Sequence, residues 1–264
     1  MKKTINNYKT GYVLMLDVLG FKDSVTKDYH NDFLTIWSDL NTNFQNKRRY
    51  YQDDENKSIN LDVLCMSDTI ILGLSHKSRD IDEIYDKRYL LSSMIRIIDS
   101  FFTNYMMEKK IFFRGVIGYG DFIFDNEQKI AMGNVIDEVS GWYESCDWIG
   151  ISLSPSAQYV LEYLFSVNDT EHHPKALKNI KNRFIEYNDL PVKDNMPKVC
   201  KYAFCWYKRK NKNINKENYE KTLDLFSNMK HEPLYAKKYY EAIKFLKNCL
   251  IDNPIWNAVS YKKG

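Results

Sequence analysis

Short apolar runs alternate along this chain with segments of helical spacing, and that alternation limits the fold more than any other feature. Residues 12–16 form a near-continuous apolar run, the pattern of a strand covered on both faces. Gly20 breaks the run, and residues 21–48 then place Phe21, Val25, Phe33, Ile36, Trp37, Leu40 and Phe44 at helical spacing. Residues 59–66 and 69–74 read as two strands with Ser67-Asp68 at their junction. Residues 80–109 read as a long helix with Leu90, Leu91, Met94, Ile97, Ile98 and Phe101 on one face. A strand over 111–119 follows, then a hairpin of 122–124 with 129–132, ended by Gly133. Asn134 is placed to cap a helix to residue 146, and Ser154-Pro155 opens another to residue 165, after a strand over 149–153. Residues 168–197 are polar and proline-punctuated and read as an irregular excursion. Residues 201–207 make a last strand, and amphipathic helices follow over 216–228 and 235–251.

The order β-α-β-β-α-β-β-α-β-α-β-α-α calls for an α/β (α+β) sandwich, a mixed sheet with helices packed on it. No internal repeat or clean linker interrupts the chain. One principal domain over 1–207 is expected, with a C-terminal helical extension over 208–264 packed on it.

Composition narrows the function classes. At 264 residues, 44% hydrophobic and 15% aromatic, the chain can fill a core, which excludes a disordered polypeptide. A net charge of +3, from 38 basic and 35 acidic groups, lacks the concentrated basic face of a nucleic-acid binder. The longest basic run, Lys208-Arg209-Lys210 with Lys212, reads as a solvated loop. Five cysteines without a CxxC pair argue against a disulfide framework or zinc ribbon and fit a reducing compartment. No run approaches the ~18 apolar residues of a membrane span, and no apolar segment follows the basic start as in a signal peptide. A soluble, cytoplasmic protein without membrane or stable nucleic-acid partners is expected.

Two acidic residues interrupt apolar strands. Asp17 ends the first run, and Asp68 sits between Ser67 and Thr69. A carboxylate at such a place is costly unless it is paired, hydrogen-bonded or metal-bound. Neither has a cationic neighbour in sequence. Two carboxylates at adjacent strand ends suit a divalent ion such as Mg²⁺ or Mn²⁺, with triphosphate and water completing the octahedron. Turn capping or acceptance of backbone N–H groups would satisfy the same residues. A salt bridge to a neighbouring helix would satisfy Arg114, in the strand over 111–119. The pair His172-His173 reads as part of a solvated loop, and no GxSxG, P-loop or GxGxxG occurs.

The segment Leu16-Asp17-Val18-Leu19-Gly20-Phe21 resembles the first-strand motif of class III nucleotidyl cyclases, and Met66-Ser67-Asp68-Thr69-Ile70 resembles the hairpin carrying that family's second metal carboxylate. The Ser-Asp turn is similar to that of the pyrimidine-cyclase (Pycsar) branch, which serves bacterial anti-phage defence. Phe113 to Gly120 resembles the following strand, with Arg114 toward the triphosphate. Gly133 to Glu144 and Gly150 to Ala157 resemble the next helix and strand. Trp206 and Lys238-Tyr239-Tyr240 before Phe245-Leu246 are similar to the tail of that branch.

The resemblance implies a ferredoxin-like class III cyclase sandwich with a mostly antiparallel sheet. It implies conversion of UTP or CTP to 3′,5′-cyclic UMP or cCMP and pyrophosphate, a second messenger read by a downstream effector. Two divalent ions, Mn²⁺ or Mg²⁺, would be held by Asp17, Asp68 and the Val18 carbonyl, with Gly20, Phe21, Leu64 and Arg114 around the substrate. The sites would be shared across a homodimer; the aromatics Trp142, Tyr143 and Trp148, close together on and after the helix following Gly133, suit either its interface or the core. The chain departs from the family on the helix after Gly133, where Asp137 and Gly141 replace an expected Asn and Arg. Lys129 or a residue of the tail is then the expected substitute cation. Leu64 replaces the polar base-reading residue of purine cyclases, which leaves Tyr50 and Tyr51 as candidate base readers. A catalytically silent nucleotide-binding or dimerisation module, or a purine cyclase, are the alternatives.

Overall fold

A computed structural model describes residues 8–19, 30–53, 58–77, 83–109, 111–167, 174–193, 198–206, 216–227 and 233–251. Its strands are β1 (Lys9–Val18), β2 (Ile59–Met66), β3 (Thr69–His76), β4 (Phe113–Asp125), β5 (Ile130–Met132), β6 (Gly150–Leu153), β7 (Phe184–Glu186) and β8 (Tyr202–Phe204). Its helices are α1 (His30–Asp53), α2 (Glu83–Phe102), α3 (Asn134–Ser145), α4 (Pro155–Ser166), α5 (Pro174–Arg183), α6 (Lys216–Ser227) and α7 (Pro233–Ile251).

β1 is flanked antiparallel by β3 and β4, and β2 closes a hairpin with β3. The order β2-β3-β1-β4 is that of a ferredoxin-like βαββαβ core. β6 extends the sheet parallel to β4, and β8 and β7 continue it antiparallel, while β5 folds back on β4 alone. The result is the mixed, mostly antiparallel sheet expected of a class III cyclase fold.

Directly opposed residues of antiparallel strands share a face, so the register says which helix covers what. Phe113 and Tyr119 point to the α1–α2 side. Phe113 meets Phe101 with ring centroids 4.6 Å apart, Phe101 meets Phe44 at 4.9 Å, and Lys87 lies 5.4 Å from the Tyr119 ring. The other face carries α3. A Cβ on Gly118 would come within 2.6 Å of Val139 and 2.7 Å of Val135, so glycine there lets α3 lie close on the strand. The same face carries α6 and α7, through Phe112 against Phe226 and Tyr239, and Trp148 edge-on to Phe245 at 4.9 Å. The boundary expected at residue 207 lies outside the described residues.

Four local expectations are corrected. β4 is one strand of 13 residues that carries through Gly120-Asp121 into the hairpin arm. The N-cap of α3 is Gly133 and not Asn134; its φ of 132° and a Cβ that would stand 2.5 Å from the Asp121 carbonyl oxygen exclude a side chain. α2 ends in a π-helical turn, Thr103–Glu108, which shifts its register before β4. The polar stretch read as irregular contains α5 and β7, because few inward residues suffice there: Ile180, Phe184 and Ile185 are buried, and Arg183 pairs with Asp99 of α2.

Candidate active site

Asp17 lies inside β1, not beyond it, because β3 and β4 extend the ladder past the apolar run. Thr69 stands opposite it on β3 and Arg114 on β4; Met66 pairs with Thr69, and Arg114 with Gly150 of β6. One row of positions thus crosses five strands on the face that carries α3, with side chains from four of them. Arg114 Nε donates to Asp17 Oδ2 at 2.7 Å, so the carboxylate does have a cationic partner, 97 residues away in sequence. Arg114 Nη1 also donates to the Cys146 carbonyl at 3.3 Å, and the guanidinium lies 5.5 Å from the Tyr143 ring centre. Three contacts from β1, α3 and the turn after α3 hold this arginine.

Asp68 reaches the same place through the β2–β3 turn. Ser67, its first residue, has φ of 52°, a left-handed conformation that costs a residue other than glycine about 1–3 kcal/mol. The Val18 N–H donates to the Asp68 carbonyl at 2.9 Å and pins the turn to the end of β1. Asp68 is half-buried, whereas Asp17 is only 8% exposed. Burial raises the Asp17 carboxyl above its ordinary value; Arg114 opposes this by charge and hydrogen bond, Asp68 adds repulsion and Lys238 lowers it. The Tyr143 hydroxyl is raised by burial first, then by Glu144, Asp17 and Asp68. Tyr143 of α3 and Lys238 of α7 therefore belong to the cluster. Neither was identified from its own chemistry in the sequence, although Lys238 falls in the tail segment that carries the resemblance.

The remaining candidates scatter. Leu64 is buried at 4% exposure, one pleat inward from the Asp17 row and level with Ile71, Met15 and Val116. Gly20 and Phe21 lie outside the described residues, as does the pair His172-His173. Tyr50 and Tyr51, near the end of α1, sit by the start of β2, whereas Asp68 follows its other end, eight residues along the strand. Lys129, with φ of 57°, is exposed in the β4–β5 hairpin, at the opposite end of β4 from Arg114. Within one chain, neither the tyrosines nor Lys129 can serve the Asp17–Asp68 end. Trp148 is fully buried within the chain, so it offers nothing to an interface, while Trp142 and Tyr143 are half-buried. Glu138 is structural: its Oε1 accepts the Ser156 N–H at 3.0 Å and caps α4, whose N-cap Ser154 makes no side-chain cap bond.

Among the described residues no three His, Cys, Asp or Glu side chains gather as a metal cluster, and no helix is long and apolar enough to cross a membrane. No protein-family model matches the chain, and no curated protein does. Among solved structures it is similar to the guanylyl cyclase domain of the RhoGC fusion protein from the aquatic fungus Blastocladiella emersonii, at 12% identity over 75% of this chain and 95% of that one, with a TM-score of 0.45. The adenylyl cyclase CyaB from P. aeruginosa shares 13% identity over 77% and 96%, with a TM-score of 0.44. A class III adenylyl cyclase-like ATP-binding protein from Pseudomonas aeruginosa shares 12% over 66% and 40%, also with a TM-score of 0.44.

Proposed function

We propose that the chain is a class III-type nucleotidyl cyclase that converts UTP or CTP to the 3′,5′-cyclic monophosphate and pyrophosphate. The observation that carries the reading is the end of β1, where Asp17 and Arg114 share one sheet face and the pinned Asp68 turn adjoins them. Two carboxylates without a third protein ligand fit Mg²⁺ or Mn²⁺, which are held by one or two carboxylates together with substrate phosphates and water. When bound, such ions lower the pKa of the ribose 3′-hydroxyl and neutralise the phosphates.

Asp17 and Asp68 would hold the ions, with the Val18 carbonyl as a further ligand. The strained Ser67 turn fixes the Asp68 backbone, so little reorganisation remains when substrate arrives. Arg114 is clamped by Asp17, Cys146 and Tyr143; two of its five N–H donors are used, and the rest are available to phosphate oxygens. The ribose 3′-oxygen bonds to the α-phosphorus as the α-phosphorus–oxygen bond to pyrophosphate breaks, and the hydroxyl proton leaves to water.

The pyrimidine assignment rests on the Ser-Asp turn and on Leu64, an apolar residue that cannot read a purine's hydrogen-bonding edge. The protein acts as a homodimer in the cytoplasm, and its product signals to a downstream effector in anti-phage defence. A silent nucleotide-binding module is the second reading, favoured by α3, whose exposed Asp137 and Gly141 offer neither an amide nor a cation. Incubation of the purified protein with each of the four nucleoside triphosphates and Mn²⁺, followed by mass spectrometry, is expected to yield cUMP or cCMP. Cyclic AMP or GMP would replace this with a purine cyclase, and no product from any of the four would leave the silent module.

A further inference from the structure

The bond between Arg114 and Asp17 does more than pair two charges, because it engages an oxygen on which ion binding depends. Arg114 Nε lies 2.7 Å from Asp17 Oδ2, and both side chains are largely buried. The β1–β4 ladder sets the two residues directly opposite each other, so side-chain torsions are what make or break the pair. The other two anchors of the guanidinium are independent of Asp17. They are the Cys146 carbonyl, 3.3 Å from Nη1, and the Tyr143 ring, 5.5 Å away. A guanidinium that lets go of Asp17 therefore keeps two of its three contacts and turns about them without leaving the site.

Two divalent ions shared between Asp17 and Asp68 draw on both oxygens of each carboxylate. Oδ2 of Asp17 already accepts from a cation. An ion reaches that oxygen by displacing Arg114, and the displaced guanidinium then faces a divalent cation at low dielectric. A polyphosphate removes this cost, since its anionic oxygens receive the guanidinium and the ion together. The donors of Arg114 other than Nε and the engaged Nη1 proton can take a phosphate before Nε releases Asp17.

We propose that Arg114 gates Asp17: its Nε yields Oδ2 to a divalent ion only when a polyphosphate takes up the guanidinium. A nucleoside triphosphate as that polyphosphate rests on the cyclase reading above; the exchange itself is tested with Mn²⁺, Mg²⁺ and inorganic tripolyphosphate.

Binding of Mn²⁺ alone to the full chain is measured from the electron paramagnetic resonance of the free ion. Arg114→Gln, which frees Asp17 Oδ2, is expected to bind Mn²⁺ about 10-fold or more tightly than wild type. Lys193→Gln makes the same charge change on an exposed lysine whose N–H donates to the Ser145 carbonyl at the end of α3. It is expected to alter Mn²⁺ affinity by less than about 2-fold. Equal or weaker binding in Arg114→Gln, including none in either protein, overturns the proposal, as does an equal gain in Lys193→Gln. If Arg114→Gln does not fold, the Arg114 Nε–H resonance of the wild-type protein decides. Mg²⁺ alone is expected to leave that resonance in place, and the same Mg²⁺ with tripolyphosphate to move it. A resonance moved by Mg²⁺ alone, or left unmoved by the two together, overturns the gate. Cyclic product without a gain in Mn²⁺ affinity in Arg114→Gln removes the gate and leaves the cyclase. The gain in affinity without cyclic product from any triphosphate in wild type keeps the gate and removes the cyclase.

Discussion

Two carboxylates are buried on the same face of the sheet, Asp62 on the edge strand β2 at 1% exposure and Asp17 on β1 at 8%, and their surroundings differ in kind. Asp62 is fully answered. Lys9 Nζ lies 2.5 Å from one of its oxygens and Asn126 Nδ2 donates to the other at 3.1 Å, while Thr10 donates to Asp121 alongside. This network ties β1, β2 and the β4–β5 hairpin together. Asp17 shares the charged donor Arg114 with the Cys146 carbonyl and faces a second carboxylate in Asp68, whose turn begins at a left-handed serine. Buried charge that is completely paired holds a fold in register. Buried charge that is balanced only in part, beside backbone strain, is what a site awaiting a charged ligand looks like.

Breaking the satisfied region should be the more costly to the fold. Asp62→Ala leaves Lys9 and Asn126 without their shared acceptor, a loss of about 2–3 kcal/mol, at the low end for a broken buried pair because the Lys9 side chain is 24% exposed. For a chain of this size that lowers Tm by about 5–10 °C in a thermal melt. An unchanged Tm would erase the contrast.

The strained turn should respond in the opposite direction. Ser67→Gly relieves the positive φ at some cost in unfolded-state entropy, for a net gain of about 1 kcal/mol and a Tm higher by about 2–4 °C. A lower Tm would place the Ser67 side chain among the stabilising contacts.

A smaller effect separates the two regions by pH. His76, at the end of β3 away from Asp68, is held below its ordinary value of 6.5 by burial, against the pull of Asp86 at 3.1 Å. The unfolded chain takes up that proton first, so stability present above pH 6.5 is lost as the pH falls through the lowered folded value. His76→Gln is expected to flatten the acid limb of denaturant-measured stability below pH 6.5, leaving that above it nearly unchanged. An identical slope in both proteins would show that other groups carry the acid response.

Much of this architecture was legible. The runs at 12–16, 59–66 and 69–74 are strands because only a doubly covered sheet accepts such apolar stretches, and α3, α4 and α7 follow their apolar spacing closely. α5 and β7 were hidden because Ile180, Phe184 and Ile185 are too few to impose a period on a Lys- and Asn-rich segment. Of the site, both carboxylates were identifiable as polar interruptions of apolar strands, and Arg114 through the resemblance of its strand. Their pairing was not, since the register that sets Asp17 opposite Arg114 arises only once β1 and β4 are laid side by side. Lys238 was equally hidden: whether a lysine on an amphipathic helix faces inward depends on which stripe the sheet covers.

The most direct test compares the two carboxylates in one experiment, with cyclic nucleotide formation and thermal midpoint measured on Asp17→Asn and Asp62→Ala beside the wild type. Asp17→Asn is expected to keep a Tm within about 3 °C of wild type and to lose product by at least about 100-fold. Asp62→Ala is expected to lose Tm and, assayed below its melting transition, to keep product within a few-fold. Wild-type product from Asp17→Asn, or loss of product in Asp62→Ala while it is still folded, would contradict the assignment of catalysis to the Asp17 end of the sheet.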